Sequence, residues 1–192
     1  MIFEGVISTR NADASAHVTP MGFEREGGRV VIAPFVPSKT LDNLAGNGAA
    51  VMNLTDDVAV IAGCLTGRRV WPVVAANVIT GWRLATVLTH LEVMVERRSG
   101  TPERPRFECN IVHEACHAPF RGYNRAQAAV VEAAILISRL DWIAPEKFAA
   151  EMTYLNIAVA KTGGPREREA WQWLLDAAAA HPRHRFQLDV TV

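Results

Sequence analysis

The chain has 192 residues, its 20 Lys and Arg are balanced by 20 Asp and Glu, and 49% of its residues are hydrophobic. That length suffices for one well-buried core, or one core with an appendage. A formal charge of zero argues against a general nucleic-acid binder, whose affinity rests on neutralising phosphates. No apolar run is long enough for a membrane helix, and the first residues lack the basic-then-apolar order of a secretion signal. Three cysteines at irregular spacing make no disulfide framework, so a reducing cytoplasm is the expected location.

The first third reads as strands. Ile2 to Thr9 is β-rich and alternating, Asn11-Ala12-Asp13 supplies turn chemistry, and Ala16 to Phe23 is its partner. Glu26-Gly27-Gly28-Arg29 is a hairpin turn into an apolar strand, Val30 to Val36, closed by Pro37. Leu41 to Gly48 is a short helix ending on glycine, and Ala49 to Leu54 is another strand. From Asp56 to Cys64 the pattern suits a capped helix or a strand equally. Gly67 to Arg83 holds Trp71, Pro72, Gly81 and Trp82 with no period, as a long loop packed over core or ligand. Leu84 to Arg97 and Phe107 to Cys116 alternate as two long antiparallel strands joined through Ser99 to Pro105. Three helices follow, at Arg125 to Leu140, Pro145 to Lys161 and Pro165 to Ala180, and Phe186 to Val190 suits a last strand.

Two groups of residues carry candidate chemistry. Ser38, Lys39 and Thr40 sit where the first helix begins, and unpaired N–H groups with the positive dipole end there suit a phosphate or carboxylate. A plain N-cap with a solvated lysine explains the same residues. Cys109, His113, Cys116 and His117 raise a metal site, because positions 109, 113 and 117 share a strand face. The run lacks the closely spaced pairs of a zinc knuckle. The preferred reading is therefore an apolar Cys109 with hydrogen-bonded histidines and no metal. Asp56 and Asp57 read as caps, Cys64 as a buried thiol, Asn124 as the cap of the helix from Arg125, and Trp171 and Trp173 as packing residues. Arg125 and Arg139 are candidates to reach an anion or a partner subunit, and His17 is either a strand-surface residue or a proton donor.

Three segments in order, "HVTPMGF" (17–23), "PFVPSKTLDNL" (34–44) and "GAAVMNLTDD" (48–57), resemble the FMN-binding split-barrel superfamily. In detail they are similar to the family designated domain of unknown function 447, and "RGYNRAQAAVVEAAILISRL" (121–140) matches its second signature. The resemblance implies an α+β fold, a split β-barrel over 1–120 with a helical C-terminal lobe over 121–192. It implies FMN at a homodimer interface. The phosphate would rest on Ser38, Lys39 and Thr40, with Asn43 nearby and Asn53 giving further polar contacts. Thr19, Pro20, Met21 and Gly22 would line the ring. Apart from the resemblance, a flat amphipathic ring suits apolar cover, and Trp71 or Trp82 of a neighbouring subunit is the candidate for its other face. No catalytic acid or base carries over. Two functions follow as alternatives: a flavin-dependent reductase of unknown substrate, or a non-catalytic module holding FMN or another phosphate ligand.

Overall fold

The structure, a computed structural model, describes residues 1–186. Most of the strand expected at 186–190 therefore lies outside the described residues. The chain divides into two compact units, one made of 1–56 and 69–120 and the other of 57–68 with the chain from Arg121 onward.

The first unit is a closed antiparallel barrel. Its strands are β1 (Ile2–Arg10), β2 (Ala16–Glu26), β3 (Arg29–Ile32), β4 (Ala49–Leu54), β7 (Thr89–Gly100) and β8 (Pro105–Cys116), in the order β1-β2-β3-β8-β7-β4. Alternation sends Ile7, Phe23, Val30, Ile32, Met52, Leu91, Val93, Phe107 and Cys109 into one buried cluster. Closure leaves no free sheet edge along these strands. The strand expected to run to Val36 pairs only as far as Ile32, and Ser38 begins the next element. That element is α1 (Lys39–Asn47), ended by Gly48 at φ 64°, a left-handed cap that glycine adopts without a Cβ penalty. Gly67 to Arg83 is not unstructured throughout: β5 (Val73–Ala75) and β6 (Trp82–Leu84) pair as a two-stranded ribbon within it. The long strand expected from Leu84 starts only at Thr89, because Leu84 belongs to that ribbon.

The β7–β8 pair contains two irregularities. Val93 faces Ile111 while Glu92 faces His113, so Val112 is an extra residue on β8. Such a bulge reverses the facing of every later residue on its strand.

The second unit is helical: α2 (Val58–Leu65), α3 (Arg125–Ile137), α4 (Pro145–Thr162) and α5 (Pro165–Ala180). The ambiguous segment after Asp56 is thus a helix, capped by Asp57, which accepts from the Ala59 N–H at 3.2 Å. Asn124 caps α3 through Ala126 and Gln127 at 2.8 and 3.3 Å. Trp171 is buried on α5, while Trp173 lies under the Arg68 guanidinium, 3.9 Å from the ring centroid. That cation–π contact joins the turn after α2 to α5, far apart in the chain. No described helix is long and apolar enough to cross a membrane.

Candidate functional site

The start of α1 is an N-cap with spare donors. Ser38 Oγ accepts the Leu41 N–H at 3.2 Å, and the Ser38 carbonyl accepts that of Asp42. The amides of Lys39 and Thr40 remain as the end-on donors of a nine-residue helix. Lys39 is exposed beside them, whereas Thr40 is buried. Asp42 is the acid of the first turn. Charge gathers here from other segments. Burial, then the positive charges of Arg69 and Lys39, lower the pKa of half-buried His17. Arg69 lies in the loop whose pattern gave no period, and no sequence signal linked it to Lys39. Ser38, Lys39, His17 and Arg69 thus gather donors and basic groups at the helix end, with Asp42 and Asp13 as the acids nearby.

The other expected contacts lie in different surroundings. Asn43 is buried, and its Nδ2 donates to Thr9 Oγ1 and Asn11 Oδ1, both at 2.9 Å. Asn53 is fully buried. Its Nδ2 donates to the Val6 carbonyl at 3.1 Å and Ser8 Oγ at 2.9 Å, while its Oδ1 accepts the Leu84 N–H at 2.8 Å. Asn53 thereby ties β1, β4 and β6 together. Along β2, Thr19, Pro20, Met21 and Gly22 are all half-buried, and Met21 packs against the barrel core. Trp82 closes onto its own barrel, its Nε1–H donating to the Ala14 carbonyl at 2.8 Å.

The metal grouping read from strand alternation does not assemble. Cys109 is in the barrel core, where burial pushes its thiol pKa up to about 12. The Val112 bulge places His113 on the other face. There it joins His90 and Glu92 of β7, two buried polar residues at alternating strand positions that carry no motif in the sequence. Glu92 accepts three backbone N–H groups, from Asn77 to Oε1 at 2.5 Å and from Val78 and Ile79 to Oε2 at 2.7 and 2.8 Å. Burial raises its pKa, but these donors and His90 outweigh that and hold it below the ordinary carboxylate value. His90 bridges Glu92 and His117, with Nε2 3.1 Å from Glu92 Oε1 and Nδ1 2.8 Å from His117 Nε2. Desolvation, then Arg83 and the two other histidines, lower the pKa of His117. A carboxylate hidden between two histidines is the kind of signal that becomes readable only once strand pairing is known.

Comparison with known proteins agrees with this architecture. No curated protein shows a significant match to the sequence. Among solved structures, the FMN-bound protein MM1853 of Methanosarcina mazei, itself assigned to DUF447, aligns with a TM-score of 0.78 at 18% identity, over 92% of this chain and 94% of its own. Flavoredoxin of Methanosarcina acetivorans aligns at 0.53 and 16%, over 60% of this chain and 69% of its own. The flavin reductase of the styrene monooxygenase of Pseudomonas putida S12 aligns at 0.51 and 12%, over 61% and 82%. Residues 3–118 match the N-terminal domain of the protein of unknown function DUF447, and 124–176 match a second model of that family, so the chain belongs to the DUF447 family.

Proposed function

We propose that this protein is an FMN-binding flavoprotein working as a flavin-dependent reductase. The observation that carries the reading is the match, over nearly the whole of both chains, to an FMN-bound member of the same family. The donors and basic groups at the start of α1 support a location for the phosphate. Two backbone amides, the Ser38 hydroxyl and the Lys39 ammonium supply donors, and Arg69 with Lys39 balances the acids Asp42 and Asp13. In this reading Thr19 to Gly22 offer backbone groups to the ring. Thr40, Asn43 and Asn53 are buried, and the amides of Asn43 and Asn53 bond barrel partners, so their part in the site is to hold the surrounding strands. When bound, the flavin supplies the redox chemistry, and the protein supplies binding and tuning of the ring.

His17 gives the site a proton response. In the free protein its charged form is disfavoured by burial and by two cations. A phosphate dianion beside it offsets the field of the two cations and raises the His17 pKa from its lowered free value. Binding therefore takes up a proton and strengthens as pH falls, until the phosphate itself protonates at about pH 6.

The test is an absorbance spectrum of the fresh protein, followed by FMN titration. Lys39→Ala removes a charge-assisted bond of about 1.5–3 kcal/mol, so affinity should weaken roughly ten- to a hundredfold. His17→Gln should flatten the pH dependence of Kd. An FMN affinity indifferent to Lys39→Ala would leave the cofactor and refute the phosphate site. Absence of binding in the unaltered chain would sink the flavoprotein reading.

A second reading, in which FMN is held without turnover, rests on the ring-lining segment itself, since Thr19 to Gly22 carry no titratable side chain. Reduction of bound flavin by NADH or NADPH separates the two. The reading also makes the protein a cytoplasmic homodimer. Exposed Ile2 and Phe35, 68% and 70% accessible, are barrel-unit residues that a second copy would cover.

A further inference from the structure

The barrel carries a second candidate site that the flavin reading does not use. One donor atom each from His90, Glu92 and His113 lie within 4.8 Å of one another. We infer that these three residues form a binding site for a divalent first-row transition metal of the zinc, iron or cobalt type.

Four observations support it. The first is geometric. His90 Nε2 and Glu92 Oε1 are 3.1 Å apart, the separation of two ligands each about 2.1 Å from one ion at an angle near 95°. The second is an orphan. His113 Nε2 is buried and has no hydrogen-bond partner among the described residues, a cost that a metal bond would remove. Its ring centroid lies 5.5 Å from that of His90.

The third is how the carboxylate is held. With an ion in place of the His90 N–H on Oε1, that oxygen keeps the Asn77 amide, and Oε2 keeps those of Val78 and Ile79. All four acceptor positions stay filled, and the carboxylate stays ionised and fixed in orientation. The fourth is the outer partner. His90 Nδ1 lies 2.8 Å from His117 Nε2. Once Nε2 binds metal, the proton of His90 moves to Nδ1 and is donated to His117, as ligating imidazoles commonly do toward a second group. His117 then carries its own proton on Nδ1, so the exchange needs no net gain or loss of protons.

Two imidazoles and one carboxylate suit the zinc-to-iron range. Alkaline-earth ions prefer an all-oxygen shell. Three protein ligands also leave coordination positions open, the arrangement of reactive rather than purely structural sites.

The experiment uses the untagged full-length chain, stripped with chelator and titrated with Co²⁺ and Zn²⁺. The expected result is one ion per chain, visible ligand-field bands with Co²⁺, and a rise in melting temperature. His113→Ala should raise the metal Kd at least tenfold and abolish the bands. Because the His113 Nε2 has no hydrogen-bond partner among the described residues to lose, the metal-free variant should melt close to the metal-free parent. A control pair, His181→Asn with His184→Asn, alters the other close histidines, whose rings are 5.2 Å apart. Its metal affinity should match that of the parent. Absence of binding, binding indifferent to His113→Ala, or binding lost only in the control pair would each overturn the site. None of these outcomes bears on FMN binding, which is read separately.

Discussion

Single side chains in this protein divide by which side of the barrel wall they meet. Cys109 points inward, and burial pushes its thiolate out of reach at neutral pH. Cys116, near the end of the same strand, is exposed. Thiol reagents should therefore label Cys116 in the native protein, and Cys109 only after unfolding. Mass spectrometry of the labelled peptides checks this directly. Fast native labelling of Cys109 would mean that β8 does not run as described. Cys109 was legible as a small apolar residue because its strand alternates cleanly there. His113 was not, because one extra residue, Val112, inverts the pattern just before it.

At the scale of elements, the loop from Arg69 to Leu88 is held by side chains rather than by a core of its own. Ser8 Oγ donates to the Trp82 carbonyl at 2.6 Å, Asn53 takes the Leu84 amide, and Glu92 takes three amides from Asn77 to Ile79. Each clamp sits on an outward position of a barrel strand that would ordinarily face water. Glu92→Gln replaces an acceptor oxygen by a donor facing N–H groups. It should cost about 2–3 kcal/mol in denaturant unfolding and release hydrogen-exchange protection at Asn77 to Ile79. The pH dependence follows from the direction of the Glu92 shift. Its folded pKa lies below the ordinary 4.5, so its contribution is present above pH 4.5 and disappears as pH falls through the folded value. The acid limb of stability should be flatter in Glu92→Gln. The loop's course was not legible because its anchors are backbone amides, which leave no mark on a residue pattern.

At the scale of the molecule, the proposed dimer makes a concentration-dependent prediction. Light scattering should give twice the chain mass at micromolar concentration, and Phe35→Ser, which removes an exposed ring, should weaken association without unfolding the barrel. A monomer in the unaltered chain would remove the dimer from the functional reading. By itself the sequence determined the strands and helices whose periods are unbroken, the N-cap at Ser38, the cap at Asn124, and, through its segment order, the family. Such features depend on residues within a few positions of each other, and local spacing encodes them. Tertiary structure alone decided that Arg69 and His17 share the helix end with Lys39. It also decided that Asn53 is a tie between strands, and that a bulge gathers His90, Glu92 and His113 on one face. Those placements depend on closure of the barrel, which joins β1 to β4 and β3 to β8, strands whose pairing no local pattern specifies.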